Sequence, residues 1–284
     1  MSRIVYVNGA FVPEEEARIS VFDRGFLFAD GVYEVATVLD GKLVDLDGHM
    51  KRLERSLAEL KMGSPVPVAE IPALMAELVR RNGVEEGLVY LQVTRGAADR
   101  DFVFPSDAVP SLVMFTQSKP VVASKSAQTG LRVVSMPDIR WGRRDIKTVQ
   151  LLASSLMKQA AKEQGADDAW MVEDGQVTEG TSNNAYIVTR GGSIVTRQLS
   201  NAILHGITRA SVLKLAAEAQ MTVEERPFTI AEAQDAAEAF ITSASSFVMP
   251  VVEIDGVRIG DGTPGPLTRR LRELYIAAAR ETAA

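Results

Sequence analysis

Cysteine is absent from the sequence, and histidine occurs only twice, as His49 and His205. The absence of cysteine excludes disulfides, thiolate metal sites and cysteine nucleophiles. Two histidines cannot form a three-histidine metal site, and the carboxylates show no clustered ligand motif of a metal hydrolase. We therefore expect no metal at the active site.

Long apolar runs are also missing. No stretch approaches the roughly 18 apolar residues of a membrane helix, and the opening residues, MSRIVYVNGAFVPEEE, lack the apolar centre of a signal peptide. The formal net charge of −6 argues against a broad nucleic-acid or anionic-membrane surface, although local arginines can still bind a small anion. We therefore expect a cytoplasmic protein with neither nucleic acid nor membrane as a partner.

The 284 residues are 46% hydrophobic and 24% charged, which is typical of a globular protein of one large or two moderate domains. Asn8-Gly9 and Asp40-Gly41 each separate two β-type runs and predict hairpins. Periodic apolar residues predict helices, in chain order, through HMKRLERSLAELKM with Asp47 as its cap, EIPALMAELVRR, TVQLLASSLMKQAAKEQ, ITRASVLKLAAEA and the segment from about Pro266.

The predicted strands and helices do not follow a regular βαβ alternation, which favours the α+β class. Residues 118–130 lose periodicity and are rich in small and polar side chains, as in a linker. The sequence therefore predicts two α+β domains, residues 1–117 and 131–284, joined by residues 118–130.

Four segments carry the chemistry: DRGFLFADGVYE (23–34), RRDIKTVQLLASSLMKQAAKEQGADDA (143–169), VTEGTSNN (177–184) and LSNAILHGITR (199–209). All four, in this order, resemble the fold-type IV pyridoxal-phosphate enzymes, which include D-amino acid and branched-chain aminotransferases and aminodeoxychorismate lyase. The match is best with the D-amino acid aminotransferases and covers nearly the whole chain. The resemblance implies the two-domain fold of that family and pyridoxal 5′-phosphate as cofactor.

Lys147 lies in DIKT, directly before an apolar helical run. On its own it is most simply a solvated lysine beside Asp145 at a helix start. At a helix N-terminus the dipole disfavours the charged ammonium, which would favour a nucleophilic neutral amine. The resemblance implies that Lys147, carried by the C-terminal domain, is the Schiff-base lysine and moves the proton between the substrate α-carbon and the cofactor.

Glu179, in VTEG, is most simply a turn carboxylate before a loop. Pyridoxal-phosphate enzymes need an acidic group that faces the pyridine nitrogen and keeps the ring an electron sink. The resemblance gives Glu179 this role. Arg140, in DIRW, resembles a residue that lies near the cofactor.

Arg52 lies three residues after His49 and is most simply a basic residue on a solvated helix face. The resemblance implies that Arg52 binds the cofactor phosphate, for which a fork of donors is well suited. His49 is expected to support this helix rather than to act as an acid or base.

Further cofactor contacts follow from the resemblance. The segment HGITR would place Ile207 and Thr208 at a helix N-terminus, where backbone N–H groups bind phosphate. Leu204 resembles the apolar residue that packs on the ring. The turn with Ser243 and Ala244 would give a second phosphate contact, and Ala244, where the family often has a hydroxyl residue, offers only its backbone N–H.

The substrate residues match the D-amino acid subgroup in part. That subgroup holds the substrate carboxylate with a tyrosine, an arginine and a histidine, and the first two correspond to Tyr33 and Arg100. Phe102 stands in the position of the histidine in TRGAADRDFVFP. Alternatively, Arg100 is a loop arginine paired with a neighbouring aspartate. The loss of one donor opens the pocket to hydrophobic D-amino acids and to (R)-amines without a carboxylate.

The resemblance thus implies a transaminase that takes an amino group from a D-amino acid, and from (R)-primary amines as a further class, and gives it to a 2-oxo acid. It also implies a homodimer in which the loop carrying Arg100 reaches the partner's active site. A branched-chain L-aminotransferase and an aminodeoxychorismate lyase are alternatives on the same fold. A non-catalytic binding protein is a more distant one.

Overall fold

The computed structural model of the chain describes residues 2–283. Contacts between residues divide it into two units. The first unit holds the chain up to Pro120, the short segment Ile146–Gln150 and the chain from Ala279. The second holds Val121–Asp145 and Leu151–Ala278. Lys147 is therefore grouped with the first unit, whereas the residues before Ile146 and after Gln150 belong to the second.

The elements that begin the chain are β1 (Ile4–Val7), β2 (Ala10–Pro13), α1 (Arg24–Phe28), β3 (Gly31–Leu39), β4 (Lys42–Leu43), α2 (Leu46–Glu59), α3 (Ile71–Asn82), β5 (Glu86–Thr94) and β6 (Ser111–Ser118). The strands form a six-stranded sheet in the order β2-β1-β6-β5-β3-β4. Their pairings are antiparallel. In such a sheet the side chains alternate between the two faces, so one face can be buried while the other is not.

The core of the first unit lies between this sheet and two helices, because α2 packs against β3 and α3 against β1 and β6. Alternate residues of β3, namely Val32, Ala36 and Val38, are buried in it. The helices contribute buried side chains that include Leu53, Leu57, Ile71, Met75 and Leu78.

Both predicted hairpins are confirmed. Asn8 and Gly9 have φ angles of 47° and 98°, and Asp40 and Gly41 have 51° and 74°. Positive φ at both central residues matches the twist of a two-residue hairpin.

The predicted cap of α2 is wrong: the cap position is Asp45, and Asp47 lies in the first turn. There its charge still complements the helix dipole.

The later elements are α4 (Lys125–Thr129), β7 (Leu131–Pro137), α5 (Leu152–Glu163), β8 (Asp168–Glu173), β9 (Gln176–Gly180), β10 (Asn184–Val188), β11 (Ile194–Thr196), α6 (Ile207–Glu218), β12 (Val223–Glu225), α7 (Ile230–Gln234), β13 (Glu238–Ser243), β14 (Phe247–Ile254), β15 (Val257–Arg258) and α8 (Pro266–Thr282). The short helix α4 falls in the segment expected to be a linker. Its apolar side, Ala127, packs on the core of the second unit.

The strands of the second unit form a nine-stranded sheet in the order β12-β11-β10-β13-β14-β7-β8-β9, and β15 pairs with β14. The pairs β7–β8, β7–β14 and β11–β12 are parallel. The remaining pairs are antiparallel. One antiparallel and one mixed sheet, each with helices packed on it, confirm the α+β class. Within residues 2–283, no helix has both the length and the apolar character needed to cross a membrane.

Candidate active site

Lys147 lies on a short non-helical segment that forms an antiparallel bridge with the free edge of β3. The N–H of Tyr33 donates to the carbonyl of Lys147 at 3.0 Å, and the N–H of Val149 donates to the carbonyl of Gly31 at 3.1 Å. β4 pairs only with the last two residues of β3, so the first half of that edge is open to the lysine segment. Two backbone hydrogen bonds therefore hold the lysine in a fixed register against β3.

The pairing decides where the lysine side chain points. Residues that face each other across antiparallel strands lie on the same side of the sheet. The Lys147 Nζ lies 4.1 Å from the centre of the Tyr33 ring, while Ile146 and Thr148 are buried. The Lys147 N–H also donates to the Ser56 hydroxyl of α2 at 3.4 Å. The amine is thus presented on the Tyr33 side, with its neighbours anchored in the interior.

The expected position of Lys147 at a helix N-terminus is wrong. Helix α5 begins only at Leu152, and Leu151 occupies its cap position. The apolar residues between the lysine and the helix suggested earlier helical turns, but the backbone of this segment bonds to β3 instead. The surroundings of the amine are set by the aromatic ring of Tyr33 rather than by a helix dipole.

Tyr33 belongs to a row of aromatic rings on its side of the sheet. Its ring stacks on Tyr90 with centroids 5.5 Å apart, and Tyr90 stacks on Phe115 at 4.8 Å. Burial raises the pKa of Tyr90, whose hydroxyl donates to Gln92 at 2.8 Å. The ring of Tyr33 is therefore held in place by the stacked ring of Tyr90.

Arg52 lies inside the first unit, paired with a glutamate that the sequence analysis missed. Its Nε and Nη2 donate to the two oxygens of Glu34 at 2.8 and 2.7 Å. His49 Nδ1 lies 2.7 Å from one of the same oxygens. All three side chains are buried. The Glu34 carboxylate thus contacts both His49 and Arg52, and the support that His49 was expected to give this helix runs through Glu34.

Burial by itself would raise the pKa of Glu34, but the charge and hydrogen bonds of Arg52, together with His49, lower it to about 2. The carboxylate is therefore ionised at neutral pH and fixes the orientation of the guanidinium. A signal for it was present in the sequence. Glu34 has the same alternation as Val32 and Ala36, so it is a charged residue at a core position of β3, where an unpaired charge is very costly.

Glu179 is a buried residue of β9 rather than a carboxylate in a turn. One of its oxygens accepts from the side-chain amide of Asn184 at 2.9 Å, and both accept from the N–H of Leu204 at 3.2 and 3.1 Å. The Nη1 of Arg140 donates to it as well. Leu204, the expected ring contact, is thus held next to the carboxylate expected to face the ring nitrogen.

The ionisation of Glu179 depends on opposing influences. Burial raises its pKa, and the charge and hydrogen bond of Arg140 oppose that rise without cancelling it. Arg140, expected near the cofactor, lies against this carboxylate. A carboxylate in this situation binds a proton more readily than a solvated one.

The start of α6 and the turn after β13 are brought together by Asn184. A Cβ at Gly206, the cap residue of α6, would overlap Asn184 Oδ1. Asn184 in turn pairs with Thr242, directly before the turn that contains Ser243 and Ala244. Gly206 is extended and offers no side-chain cap to the first N–H groups of the helix. Backbone donors of this kind form a cradle for an anion.

Arg100 and Phe102 lie on an exposed loop between β5 and β6. Phe102 is 79% exposed and meets the ring of Phe28 edge-on at 5.6 Å. The Arg100 guanidinium lies 5.3 Å from the Phe28 ring centre and 5.7 Å from that of Phe102. The guanidinium therefore contacts aromatic rings, and the alternative, in which Arg100 pairs with a neighbouring aspartate, finds no support.

Comparisons with known proteins identify the family of the chain. The profile of the family amino-transferase class IV matches residues 31–254. The chain is 40% identical to a D-alanine aminotransferase of Bacillus licheniformis over 270 residues, 94% of each chain. It is 36% identical to a D-alanine aminotransferase of Staphylococcus haemolyticus, covering 95% of each.

Solved structures give the same fold. The branched-chain aminotransferase of the archaeon Thermoproteus uzoniensis with norvaline superposes with a TM-score of 0.87 at 26% identity, covering 98% of this chain and 95% of that one. The branched-chain amino acid aminotransferase of Thermobaculum terrenum in its PLP form superposes with a TM-score of 0.86 at 25% identity, covering 99% and 94%.

Proposed function

Because the chain belongs to the class IV aminotransferases, we propose that it transfers the amino group of a D-amino acid to a 2-oxo acid such as pyruvate or 2-oxoglutarate. The observation that carries the proposal is its 36–40% identity to D-alanine aminotransferases over 94–95% of the chain. The two branched-chain enzymes above are 25–26% identical. A branched-chain L-aminotransferase is therefore the weaker candidate.

The enzyme uses pyridoxal 5′-phosphate, which when bound draws electrons from the bonds of the substrate α-carbon. The donor sets of this chain fit such a group. The second unit has a buried carboxylate for the ring nitrogen, Glu179, and a cradle of backbone donors for the phosphate at Ile207, Thr208 and the turn with Ser243 and Ala244. The first unit has the fixed guanidinium of Arg52.

We assign the proton transfers to Lys147. With the cofactor bound, the amine would accept the proton of the substrate α-carbon and return it on the cofactor side, which requires a base within hydrogen-bond reach of both positions. The backbone pairing with β3 supports this role, because it holds the amine in place without using the side chain. With the cofactor bound, Glu179 would hold a proton toward the ring nitrogen, and Leu204 would pack against the ring.

For the substrate carboxylate we propose Tyr33 and Arg100, with Phe102 as an apolar wall. Tyr33 lies beside Lys147, so a carboxylate at its hydroxyl would place the α-carbon near the amine. Arg100 supplies the charge. Phe102 offers no hydrogen bond, which favours hydrophobic D-amino acids and admits (R)-primary amines as a second substrate class.

We further propose a homodimer in which the loop with Arg100 completes the partner's site. Side chains of this loop and of the segment around α1 are apolar and exposed: Val21, Phe22, Phe26, Phe102, Val103 and Val109. The two segments adjoin, since the N–H of Ala98 bonds to the carbonyl of Phe22. This exposed apolar patch supports the proposal, because such patches are typical of interaction surfaces. The cytoplasmic location stays a prediction.

The decisive experiment follows the absorbance of the cofactor-loaded protein as D-alanine and then L-alanine is added. We expect the band of the lysine-bound cofactor to disappear with D-alanine only, and pyruvate to form in equal amount. A response to L-alanine alone would replace the proposal with the branched-chain activity.

Two further outcomes separate the remaining alternatives. Release of pyruvate from aminodeoxychorismate without an acceptor would identify the lyase. A band that responds to neither isomer of alanine but does respond to (R)-1-phenylethylamine would make amines the main substrates. A band that no amine changes would identify a binding protein.

A further inference from the structure

Arg140 lies between two carboxylates, that of Glu179 and that of Asp138. Its Nε and Nη2 donate to the two oxygens of Asp138 at 3.0 and 2.7 Å, and its Nη1 donates to Glu179. The Asp138 side chain is fully buried and that of Glu179 almost so. All three guanidinium nitrogens thus donate hydrogen bonds to carboxylates, and these bonds fix the orientation of the arginine.

Asp138 is itself fixed from several directions. It directly follows β7, and its backbone N–H bonds to the carbonyl of Val172 at 2.8 Å. The hydroxyl of Thr178, the neighbour of Glu179 on β9, donates to Asp138 at 2.7 Å. Arg144 Nη1 lies 3.5 Å from the same oxygen and also binds Glu173. Charges of alternating sign therefore run from Glu179 through Arg140 and Asp138 to Arg144.

We propose that Asp138 is a positioning residue that acts through Arg140. It fixes the orientation of the guanidinium, and thereby that of the Glu179 carboxylate, and it weakens the electrostatic effect of Arg140 on Glu179. The inference rests on the proposed role of Glu179 toward the ring nitrogen. Without Arg140, the buried Glu179 would take the shared proton for itself. Without Asp138, Arg140 would interact with Glu179 alone, and the affinity of Glu179 for that proton would fall.

The groups that face Glu179 support opposite effects of the two neighbours. Arg140 lowers the pKa of Glu179 and so opposes the larger rise caused by burial, whereas Asp138 raises the pKa further. The other polar groups in contact are the neutral amide of Asn184 and the backbone N–H of Leu204. Tyr186, which also senses the charge of Glu179, stays neutral because burial raises its pKa.

The test uses the holoenzyme reconstituted with pyridoxal phosphate labelled with ¹⁵N in the ring, whose chemical shift reports where the proton lies. We expect Arg140→Gln to move the signal toward unprotonated pyridine, because Glu179 becomes more basic. Asp138→Asn is expected to move it the opposite way, toward full pyridinium. Thr178→Val, which removes a hydrogen bond but no charge, is expected to act like Arg140→Gln, more weakly, because Asp138 then holds Arg140 more tightly.

Glu179→Gln and Arg190→Gln are the controls. The first removes the carboxylate through which both neighbours act, and we expect a large shift toward unprotonated pyridine. The second breaks an exposed pair with Asp235 and should leave the signal unchanged.

Shifts of the same sign in Asp138→Asn and Arg140→Gln, or none in either, would overturn the proposal, as would an unaltered signal in Glu179→Gln. If Asp138→Asn does not fold, the sign and size of the Thr178→Val shift relative to Arg140→Gln decide in its place. The proposed reaction with D-alanine is tested separately by its own absorbance change.

Discussion

Tyr33 and Lys147 are joined twice, through a backbone hydrogen bond of 3.0 Å and through the approach of the lysine Nζ to 4.1 Å from the tyrosine ring. The first contact sets the register of the lysine segment on β3. The second places the amine beside the phenol proposed to hold the substrate. One strand pairing thus fixes the distance between the proposed base and the substrate anchor, and mutations can test each part of this arrangement.

Replacement of Lys147 by alanine should abolish the absorbance of lysine-bound cofactor and lower transamination by at least about 10²–10⁴-fold, the usual contribution of a positioned acid–base group. Stability should change little, because the side chain is partly exposed and its backbone bonds remain. Absorbance spectra and steady-state rates with D-alanine measure both effects. Lys214→Ala, on the exposed face of α6, is the control, and a fully active Lys147→Ala enzyme would exclude the assignment.

Replacement of Gly31 by valine should displace the lysine segment. A Cβ at Gly31 would lie 2.9 Å from the carbonyl oxygen of Val93, so β3 must shift where it receives the N–H of Val149. We expect a loss of about 1–3 kcal/mol in the free energy of unfolding and a larger loss in activity. Urea unfolding and rates are compared with Gly63→Val, where a side chain has open space.

Replacement of Arg100 by alanine should lower kcat/KM for D-alanine on the order of 10–100-fold, because a charged hydrogen bond to the substrate carboxylate is lost. For (R)-1-phenylethylamine, which has no carboxylate, the loss should be small. Arg190→Ala serves as an exposed arginine control. Equal losses on both substrates would mean that Arg100 supports the loop rather than the substrate.

Replacement of Phe102 by histidine should raise kcat/KM for D-alanine by several-fold and lower that for (R)-1-phenylethylamine. The new ring nitrogen can donate to a carboxylate, whereas the phenyl ring cannot. Because Phe102 is largely exposed, the substitution should not unfold the protein. The ratio of the two rates is the measurement, and an unchanged ratio would show that this position does not contact the substrate.

Replacement of Glu34 by glutamine should lower stability near neutral pH by about 3–5 kcal/mol, because a buried arginine loses its partner. The pKa of Glu34 falls from 4.5 to about 2 on folding, so its contribution is complete above pH 4.5 and lost as the pH falls toward 2. The difference between wild type and variant should therefore shrink over that window. Urea unfolding at several pH values tests this.

The control for Glu34 is Glu77→Gln. Glu77 also pairs with an arginine, Arg80, at 2.7 Å, but on the exposed surface of α3. An exposed pair contributes little, so its loss should hardly change stability at any pH. A variant at Glu34 that behaves like the one at Glu77 would contradict the buried-pair account.

Local turn signals in the sequence predicted the hairpins, and the lack of a regular βαβ alternation predicted the α+β class. The lysine and the glutamate were proposed from the resemblance of their motifs to the fold-type IV enzymes, and their roles stay predictions. The errors arose where distant residues decide. The stretch after Lys147 has helical periodicity, yet its backbone pairs with Gly31 and Tyr33, more than a hundred residues earlier. Glu34 was missed, and the burial of Glu179 was not foreseen, because the sequence does not show that each carboxylate is buried beside an arginine.

Adjacent residues of β3 carry two different tasks: Tyr33 faces the lysine, and Glu34 faces the interior and holds Arg52. Successive side chains of a strand point to opposite faces, so a deletion of one residue before Tyr33 would exchange them. The carboxylate would then meet the amine as a counter-ion, and the phenol would enter the core without a charge for Arg52. We infer that the length of the segment between α1 and β3 tolerates no insertion or deletion, even where its residue types can vary.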